Sequence, residues 1–260
     1  MPADCIARVV SCTETWPGAF VLWLHAPPLA VVRPGQFALL RCSEGLDPFL
    51  RRPLSLHRRG GYPGRPGGQG EIAFLFRVAG RGTELLAGKR PGDDIGVFGP
   101  LGRGYALAAS VCNVLLVAGG IGIAPLVALA DEAEAAGRSV VLLYGAESAG
   151  QMYPRELLPP EVEVHLATED GSAGHKGLVT GLFEEFLPWA DAVCACGPVE
   201  MYRQMRATTL RAGGHKPVQV LLEQPMACGI GACYSCTVQT RRGPRRVCRD
   251  GPRFELRDVE

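Results

Sequence analysis

The segment Gln224-Pro-Met-Ala-Cys-Gly-Ile-Gly-Ala-Cys-Tyr-Ser-Cys236 carries three cysteines on one short stretch, and Cys248 follows after eleven intervening residues. The resulting C-x4-C-x2-C-x11-C order matches the plant-type spacing of a [2Fe–2S] cluster, in which a tight loop and one distant residue supply the thiolates. Three ligands on one loop must wrap a compact inorganic core, and Gly229 and Gly231 give the backbone that freedom. The predicted metal ligands, called the cluster cysteines below, are Cys228, Cys233, Cys236 and Cys248.

Two other uses of these cysteines remain open from the spacing alone. A structural zinc site would more naturally show two C-x2-4-C pairs, and this stretch has only one. Disulfides would fit a secreted protein, but the segment Met1-Pro-Ala-Asp-Cys-Ile-Ala-Arg8 has no basic region followed by an apolar one. The spacing favours the iron–sulfur cluster over both alternatives.

The bulk composition excludes several classes of function. A formal net charge of +1 over 260 residues is too small for a general nucleic-acid-binding protein. The longest apolar runs, such as 111–118, are too short to span a bilayer, so the sequence predicts a cytoplasmic protein with no membrane part. In that compartment, ten cysteines are thiols or metal ligands rather than disulfides. The six outside the cluster motif suit buried apolar positions: Cys5, Cys12, Cys42, Cys112, Cys194 and Cys196.

The hydrophobic pattern predicts a multidomain α+β protein. Short strand-like segments separated by Gly and Pro indicate an N-terminal antiparallel β-barrel over 1–105. Strands then alternate with helices, which indicates a central α/β nucleotide domain with a parallel sheet over 106–215. A small C-terminal domain, 216–260, holds the cluster cysteines. The Gly- and Pro-rich stretch 59–70 is predicted to be a flexible hairpin loop. The barrel strands are predicted at 5–12, 19–24, 36–42 and 71–78.

Two motifs in the predicted barrel suit a phosphate-bearing cofactor. Arg52-Pro-Leu-Ser55 offers a guanidinium, whose planar fork suits a pyrophosphate, and a short hydroxyl that can bond a polar ring atom. In Gly80-Arg-Gly-Thr83, the glycines let backbone N–H groups approach an anion, and Thr83 can cap a helix predicted at 84–87. Each motif alone also fits an ordinary surface arginine or a turn. Together they predict a flavin pyrophosphate site.

A further pair of turns suits a dinucleotide. Gly119-Gly-Ile-Gly-Ile-Ala-Pro125 lies between a predicted strand and a predicted helix, although Pro125 replaces the third glycine of the usual fingerprint. Cys196-Gly-Pro198 repeats the strand–turn–helix order at a later strand. Glu147 fits either a ribose-binding acid or a solvated loop charge. No basic cluster accompanies it, which favours NAD over NADP.

This order of motifs, over essentially the whole chain, resembles the ferredoxin–NADP reductase superfamily. The cluster segment, with Val247-Cys-x-Asp-Gly-Pro-x-Phe254, is similar to the electron-transfer subunits of class 1B dihydroorotate dehydrogenases. The resemblance implies FAD in the barrel, NAD(H) in the α/β domain and a [2Fe–2S] cluster on the cluster cysteines. NAD(H) is expected near Gly120, Gly122 and Cys196. The expected FAD-binding residues, called the flavin set below, are Arg52, Pro53, Leu54, Ser55, Leu75, Phe76, Arg77, Gly82 and Thr83.

The resemblance also implies a partner. An FMN-containing catalytic subunit would oxidise dihydroorotate in pyrimidine biosynthesis, and two copies of each chain would form a heterotetramer. Electrons would pass through the cluster and FAD to NAD+. The chain would then be an oxidoreductase subunit with no catalytic acid, base or nucleophile of its own.

Some features leave the partner open. Leu54 stands where many reductases of the superfamily carry Tyr, which supports the narrower family. Tyr234 and Ser235, however, replace the Leu-Gly pair expected there, which fits a sibling NAD(P)H-dependent iron–sulfur flavoreductase subunit with another acceptor. A self-sufficient flavoreductase and a non-redox metal-binding module are further alternatives. The basic stretch 241–246 fits either a solvated turn or a docking edge beside the cluster.

Overall fold

The computed structural model of the chain describes residues 2–61, 67–214 and 216–259. These residues form a barrel, a parallel sheet with helices on both faces, and a short C-terminal segment between the two. The strands are β1 (Ala3–Trp16), β2 (Ala19–His25), β3 (Phe37–Leu40), β4 (Arg52–Arg59), β5 (Glu71–Arg77), β6 (Asp94–Leu101), β7 (Asn113–Gly119), β8 (Ser139–Ala146), β9 (Glu163–Thr168), β10 (His175–Lys176), β11 (Ala192–Cys196), β12 (Val218–Leu221), β13 (Thr237–Val238), β14 (Arg245–Arg246) and β15 (Arg253–Glu255). The helices are α1 (Arg81–Ala87), α2 (Ile123–Ala135), α3 (Thr180–Phe186), α4 (Val199–Arg211) and α5 (Val247–Asp250).

The first six strands close into an antiparallel barrel in the order β1-β2-β5-β4-β3-β6, as the sequence predicts. Successive side chains of a strand point to opposite faces, so the inward positions can be apolar while the outward ones stay polar. The barrel interior is packed with residues such as Leu22, Leu40, Leu56 and Phe74. Burial of these side chains is the main stabilisation of this part of the chain.

Strands β4 and β6 do not stand out in the sequence. The β4 segment Arg-Pro-Leu-Ser-Leu-His-Arg-Arg carries four basic residues, and β6 contains Gly96, Gly99 and Pro100. Both compositions are unusual for a strand. The barrel nevertheless closes only through them, because β4 pairs with β3 and β5 and β6 pairs with β1 and β3. Strands β4 and β5 form the predicted hairpin, but residues 62–66 of its loop lie outside the described residues.

The second part is a seven-stranded sheet in the order β10-β9-β8-β7-β11-β12-β15. All neighbouring strands are parallel except β12 and β15, which are antiparallel. The central strand β7 is a continuous apolar run, as expected for a strand covered on both faces. This architecture confirms the predicted α/β domain. Among the described residues, no helix is both long and apolar enough to cross a membrane.

Helix α2 lies between the sheet and the barrel. Nine of its thirteen residues are buried, far more than a helix with one solvent-exposed face would bury. Leu126 packs in the core of the sheet, whereas Ala128 packs in the core of the barrel. The helix begins at Ile123, three residues before the start predicted from the pattern, because a short 3₁₀ turn at Gly120–Gly122 leads directly into it.

The C-terminal segment starts and ends in the second sheet. It leaves β12, forms the loop of the first three cluster cysteines, makes the small β13–β14 hairpin and the one-turn helix α5, and returns as β15. Gln219 of β12 pairs with Glu255 of β15, and Leu221 pairs with Arg253. Both strands belong to the predicted third domain, 216–260, yet complete the sheet of the predicted second one. The limits 1–105, 106–215 and 216–260 therefore stay a prediction.

Candidate functional site

The cluster cysteines lie as two pairs. Within the loop, the backbone N–H of Cys233 donates to Sγ of Cys228 at 3.4 Å. At the other end, the N–H of Cys248 donates to Sγ of Cys236 at 3.4 Å. A backbone bond also supports this second pair, since the N–H of Val247 donates to the carbonyl of Cys236 at 3.0 Å. A site with two thiolates for each of two irons suits this arrangement.

Cys233 of the first pair and Cys248 of the second differ in exposure and in the pKa of their thiols. Cys233 is exposed, and hydrogen bonds from the Ser235 side chain and backbone, with others involving Cys228, lower its pKa to about 6. Cys248 is buried, and desolvation followed by the neighbouring Cys236 raises its pKa to about 12. Metal binding requires thiolates. Cys233 is therefore partly prepared for a metal, whereas Cys248 depends on the metal to release its proton.

The donor set fits an iron–sulfur cluster better than a single zinc ion. Among the described residues, no three His, Cys, Asp or Glu side chains converge as a group that could hold one metal ion. A structural zinc site needs four ligands around one point. Two thiol pairs fit a larger core with two metal ions.

Two glycines let this loop follow its path. Gly229 and Gly231 have φ of +70° and +84°, a region that L side chains rarely adopt. A Cβ on Gly229 would lie 2.8 Å from Cδ1 of Leu39 and 2.9 Å from Cδ1 of Leu101, both in the barrel. A Cβ on Gly231 would lie 2.8 Å from Cδ of Arg249. The cluster loop therefore lies directly against β3 and β6, and only glycine allows that approach.

The flavin set is spread over β4, β5 and α1. Pro53 and Leu54 pair with Leu39 and Ala38 of β3, so this motif shares a strand pair with the residue that supports Gly229. A Cβ on Gly82 would lie 2.4 Å from Nε of Arg52, which shows that the guanidinium packs against the glycine backbone. Both predicted phosphate-binding motifs thus meet at one place.

The other members of the flavin set have different surroundings. The Thr83 hydroxyl donates to the carbonyl of Gly80 and accepts from the N–H of Ala79, both at 2.9 Å. It therefore holds the turn together within a helix that begins at Arg81 rather than at residue 84. Leu75 and Phe76 are buried in the protein core, so only their backbone is placed to meet a ligand. The role of the flavin set stays a prediction.

A cleft of about 450 Å³ lies between the barrel and the carboxyl ends of the parallel strands. Gly120 and Gly122 line it, and a Cβ on Gly122 would lie 2.0 Å from the carbonyl oxygen of Cys196. The two predicted nucleotide turns therefore touch. The side chain of Cys196 itself is buried, and Gly197 and Pro198 reach the cleft instead. Such a crevice at strand carboxyl ends is where open α/β sheets bind ligands.

The cleft is rich in carboxylates. Glu147, Glu169, Glu200 and Glu223 line it, and Arg77 faces it from the barrel. Desolvation by the surrounding walls raises the pKa of Glu223. Of these four carboxylates, the sequence motifs predict only Glu147 as a ribose-binding acid. Glu169 could have been found by the same signal, because it follows β9 as Glu147 follows β8. Trp16, at the end of β1, also lines the cleft, and no local signal predicts that position.

Buried polar contacts fix the barrel against α2. The guanidinium of Arg58, 1% exposed, donates to both carboxylate oxygens of Asp131 at 2.9 and 3.1 Å. His57 lies 3.0 Å from the carbonyl of Ala124 through Nδ1 and 3.1 Å from the hydroxyl of Tyr153 through Nε2. Burial lowers the pKa of His57 to about 3, so the ring is neutral and can donate at one nitrogen and accept at the other. These contacts join the barrel to α2 and to Tyr153.

Known proteins are similar in sequence to this chain over most of its length. A family model described as the iron–sulfur cluster binding domain of dihydroorotate dehydrogenase B matches residues 223–260. The electron transfer subunit of dihydroorotate dehydrogenase B (NAD(+)) from Desulforamulus reducens is 38% identical over 256 residues, covering 95% of this chain and 95% of that protein. The same subunit from Clostridium acetobutylicum is 39% identical over 226 residues, covering 86% and 84%.

Solved structures agree in fold. A structure described as an NADH-dependent reduced ferredoxin–NADP oxidoreductase superposes with a TM-score of 0.84 and 30% identity, covering 100% of this chain and 91% of that one. A ferredoxin reductase of carbazole 1,9a-dioxygenase has a TM-score of 0.67 and 20% identity, covering 84% and 69%. The second likeness shows the fold alone. Both share the fold of this chain, a barrel followed by a parallel sheet.

Proposed function

Because this chain belongs to the family of dihydroorotate dehydrogenase B (NAD(+)) electron transfer subunits, we propose that its thiol pairs, flavin set and cleft serve one electron-transfer unit. The chain is an oxidoreductase subunit that uses FAD, a [2Fe–2S] cluster and NAD, and it works with a catalytic partner subunit. When bound, the cluster and FAD supply the electron carriage between dihydroorotate oxidation in the partner and NAD+. The protein itself contributes binding and position.

The observation that carries the proposal is the contact between the cluster loop and the barrel. Gly229 lies against Leu39, which pairs with Pro53 of the flavin set. The cluster loop thus packs against β3, the strand that pairs with Pro53 and Leu54 of the flavin set. We assign the cluster to the cluster cysteines and FAD to the flavin set, with Arg52 and the backbone of α1 at the pyrophosphate.

The cleft suits the nicotinamide dinucleotide. Its glycines admit a close approach of pyrophosphate to the backbone at Gly120 and Gly122. Glu147 and Glu169 follow two neighbouring strands and would repel a 2′-phosphate, while either can accept hydrogen bonds from ribose hydroxyls. We therefore propose NAD(H) rather than NADP(H) as the cleft's ligand, with Arg77 and Trp16 on the barrel side.

For the partner, we propose an FMN-containing dihydroorotate dehydrogenase subunit, with two copies of each chain in a cytoplasmic heterotetramer. Cys233 is the exposed end of the cluster site, so electrons would enter there. The alternative of a sibling reductase subunit with another acceptor is not favoured, because relatives at 38% and 39% identity are named as electron transfer subunits of dihydroorotate dehydrogenase B.

Reconstitution tests this proposal. The chain is purified alone and then co-purified with the catalytic subunit encoded in the same organism. We expect about one FAD and two irons per chain, and dihydroorotate-dependent reduction of NAD+ by the complex. NADP+ in the same assay should react much more slowly. A tight complex with both cofactors that reduces no NAD+ from dihydroorotate would disprove the assignment, and zinc in place of iron would disprove the redox role.

A further inference from the structure

One peptide group of the cluster loop is hydrogen-bonded at both ends. The N–H of Ala232 donates to Sγ of Cys228 at 3.3 Å. The carbonyl of Gly231, in the same peptide, accepts from Nη1 of Arg246 at 2.8 Å. The guanidinium, the peptide and the thiol sulfur therefore form one chain of hydrogen bonds. Polarisation strengthens successive bonds in such a chain.

Arg246 is held in place by three further contacts. Its Nε lies 3.7 Å from Oδ2 of Asp250, and its backbone N–H donates to the same oxygen at 2.8 Å. Its guanidinium carbon lies 4.8 Å from the ring centroid of Tyr234, within the range of a cation–π contact. The side chain is 19% exposed. An arginine fixed in this way presents a steady charge to the peptide instead of a solvated, moving one.

Tyr234 belongs to the same arrangement. It has φ of +61°, the one non-glycine residue with positive φ among the described residues. A bulky side chain in this region costs energy and persists where its surroundings hold it. Its contact with Arg246 supplies part of that support, and ties the loop between the second and third cluster cysteines to the residue that precedes α5.

We propose that Arg246 is a positioning residue that raises the reduction potential of the cluster by polarising the Gly231–Ala232 peptide. This inference rests on the proposed function, since it requires the cluster on the cluster cysteines. Hydrogen bonds to the sulfurs are among the factors that set cluster potentials. A reduced cluster is more negative than an oxidised one, so a stronger N–H donor and a nearby cation both favour reduction. Asp250 opposes this effect because its carboxylate offsets the guanidinium charge.

Variants of the full-length chain, loaded with cluster and FAD, test the inference by EPR-monitored redox titration. We expect R246Q to lower the one-electron equilibrium constant for cluster reduction about tenfold, or about 59 mV. R246K keeps the charge but loses the planar fork, so its cluster potential should be lowered less than that of R246Q. D250N should change the potential in the opposite direction, upward. If Arg246 and Asp250 had a purely structural role, R246Q and D250N would not change the cluster potential in opposite directions.

R242Q is the matched control. Arg242 lies in the same basic stretch, but its guanidinium pairs with Asp258 at 3.0 Å. We expect R242Q to leave the potential unchanged, and an equal fall in R242Q would overturn the inference in favour of a general charge effect. Iron and sulfide content are measured alongside. If R246Q does not retain its cluster, R246K and D250N decide, and an unchanged or lower potential in D250N overturns the inference. Wild-type chain without any cluster would instead contradict the proposed function.

Discussion

Two contacts between the barrel and the rest of the described chain are built in opposite ways. Toward α2, the contact uses large polar side chains, with Arg58 paired to Asp131 and His57 placed between a carbonyl and a hydroxyl. Toward the cluster loop, the contact uses glycine, since Gly229 lies where a Cβ would be 2.8 Å from Leu39. Polar side chains make the contact with α2, whereas the contact with the cluster loop is possible because Gly229 has no side chain.

The difference corresponds to what each contact has to fix. A bidentate ion pair and an oriented imidazole are directional, so they set the angle between the barrel and the sheet and with it the shape of the cleft. A glycine contact has little direction but lets the backbone of the cluster loop approach the Leu39 and Leu101 side chains closely. The first contact suits a site that must hold a dinucleotide. The second suits a redox group that must come close to a flavin.

The largest expected effect is loss of the cluster without loss of FAD from the barrel. Cys233→Ser replaces an exposed thiol, proposed above as an iron ligand, by a hydroxyl, a harder and weaker ligand for iron. We expect nearly complete loss of iron while FAD stays bound, because the flavin set lies on β4, β5 and α1. Iron analysis and the visible spectrum measure both. Cys112→Ser, at an exposed cysteine outside the cluster motif, should change neither. Joint loss of FAD from a folded Cys233→Ser protein would refute the separation.

Gly229→Ala tests the close contact. The residue has φ of +70°, and its new Cβ would meet Leu39 and Leu101. Left-handed strain costs roughly 1–2 kcal/mol and overpacking roughly 1–3 kcal/mol, so we expect about 2–5 kcal/mol of destabilisation. Gly18→Ala is the matched control, since Gly18 has φ of +78° with nothing within 4 Å of its Cβ position. Denaturant unfolding should show the larger loss for Gly229. Equal losses would mean that the approach to the barrel is not tight.

Asp131→Ala tests the polar contact. It removes both hydrogen bonds to a guanidinium that is 1% exposed. Hydrogen bonds to charged groups contribute roughly 1.5–3 kcal/mol, and we expect a loss of that size. The adjacent Glu132→Ala removes an exposed pair with Arg59 and should cost about 0–1 kcal/mol. NAD+ affinity should fall with Asp131→Ala and not with Glu132→Ala, as measured by calorimetric titration. Identical behaviour of the two variants would show that the ion pair does not support the cleft.

The two contacts also differ in how far the sequence predicts them. The spacing of the cluster cysteines is a local property, because three ligands must lie on one loop, and the structure brings the same four residues into two pairs. The glycines of this loop are needed for the same local reason. Short strands separated by Gly and Pro likewise predict the barrel, and the alternation of strands and helices predicts the parallel sheet.

The polar contact has no such local signal. His57 and Arg58 read as surface residues of a basic stretch, and β4 itself does not resemble a strand. They are buried because α2, far along the chain, supplies the carboxylate of Asp131 and the carbonyl of Ala124. The same holds for Trp16 and Glu223 in the cleft, which come from opposite ends of the sequence. The local sequence pattern predicts individual strands and helices, whereas these contacts depend on how the strands and helices pack together.

The smallest expected effect is a pH dependence confined to the polar contact. The pKa of His57 falls from 6.5 to about 3 on folding, because burial disfavours the charged ring. Below pH 6.5 the unfolded chain binds a proton at His57 and the folded chain does not. The free energy of unfolding is therefore largest above pH 6.5 and falls progressively toward pH 3. The loss should reach roughly 1 kcal/mol at pH 6 and about 2 kcal/mol at pH 5. His57→Gln should flatten the dependence of unfolding free energy on pH between 7 and 5. If the variant kept the wild-type dependence of unfolding free energy on pH, His57 would take up its proton as readily in the folded chain as in the unfolded one. The contact between the barrel and α2 would then be looser than its hydrogen bonds indicate.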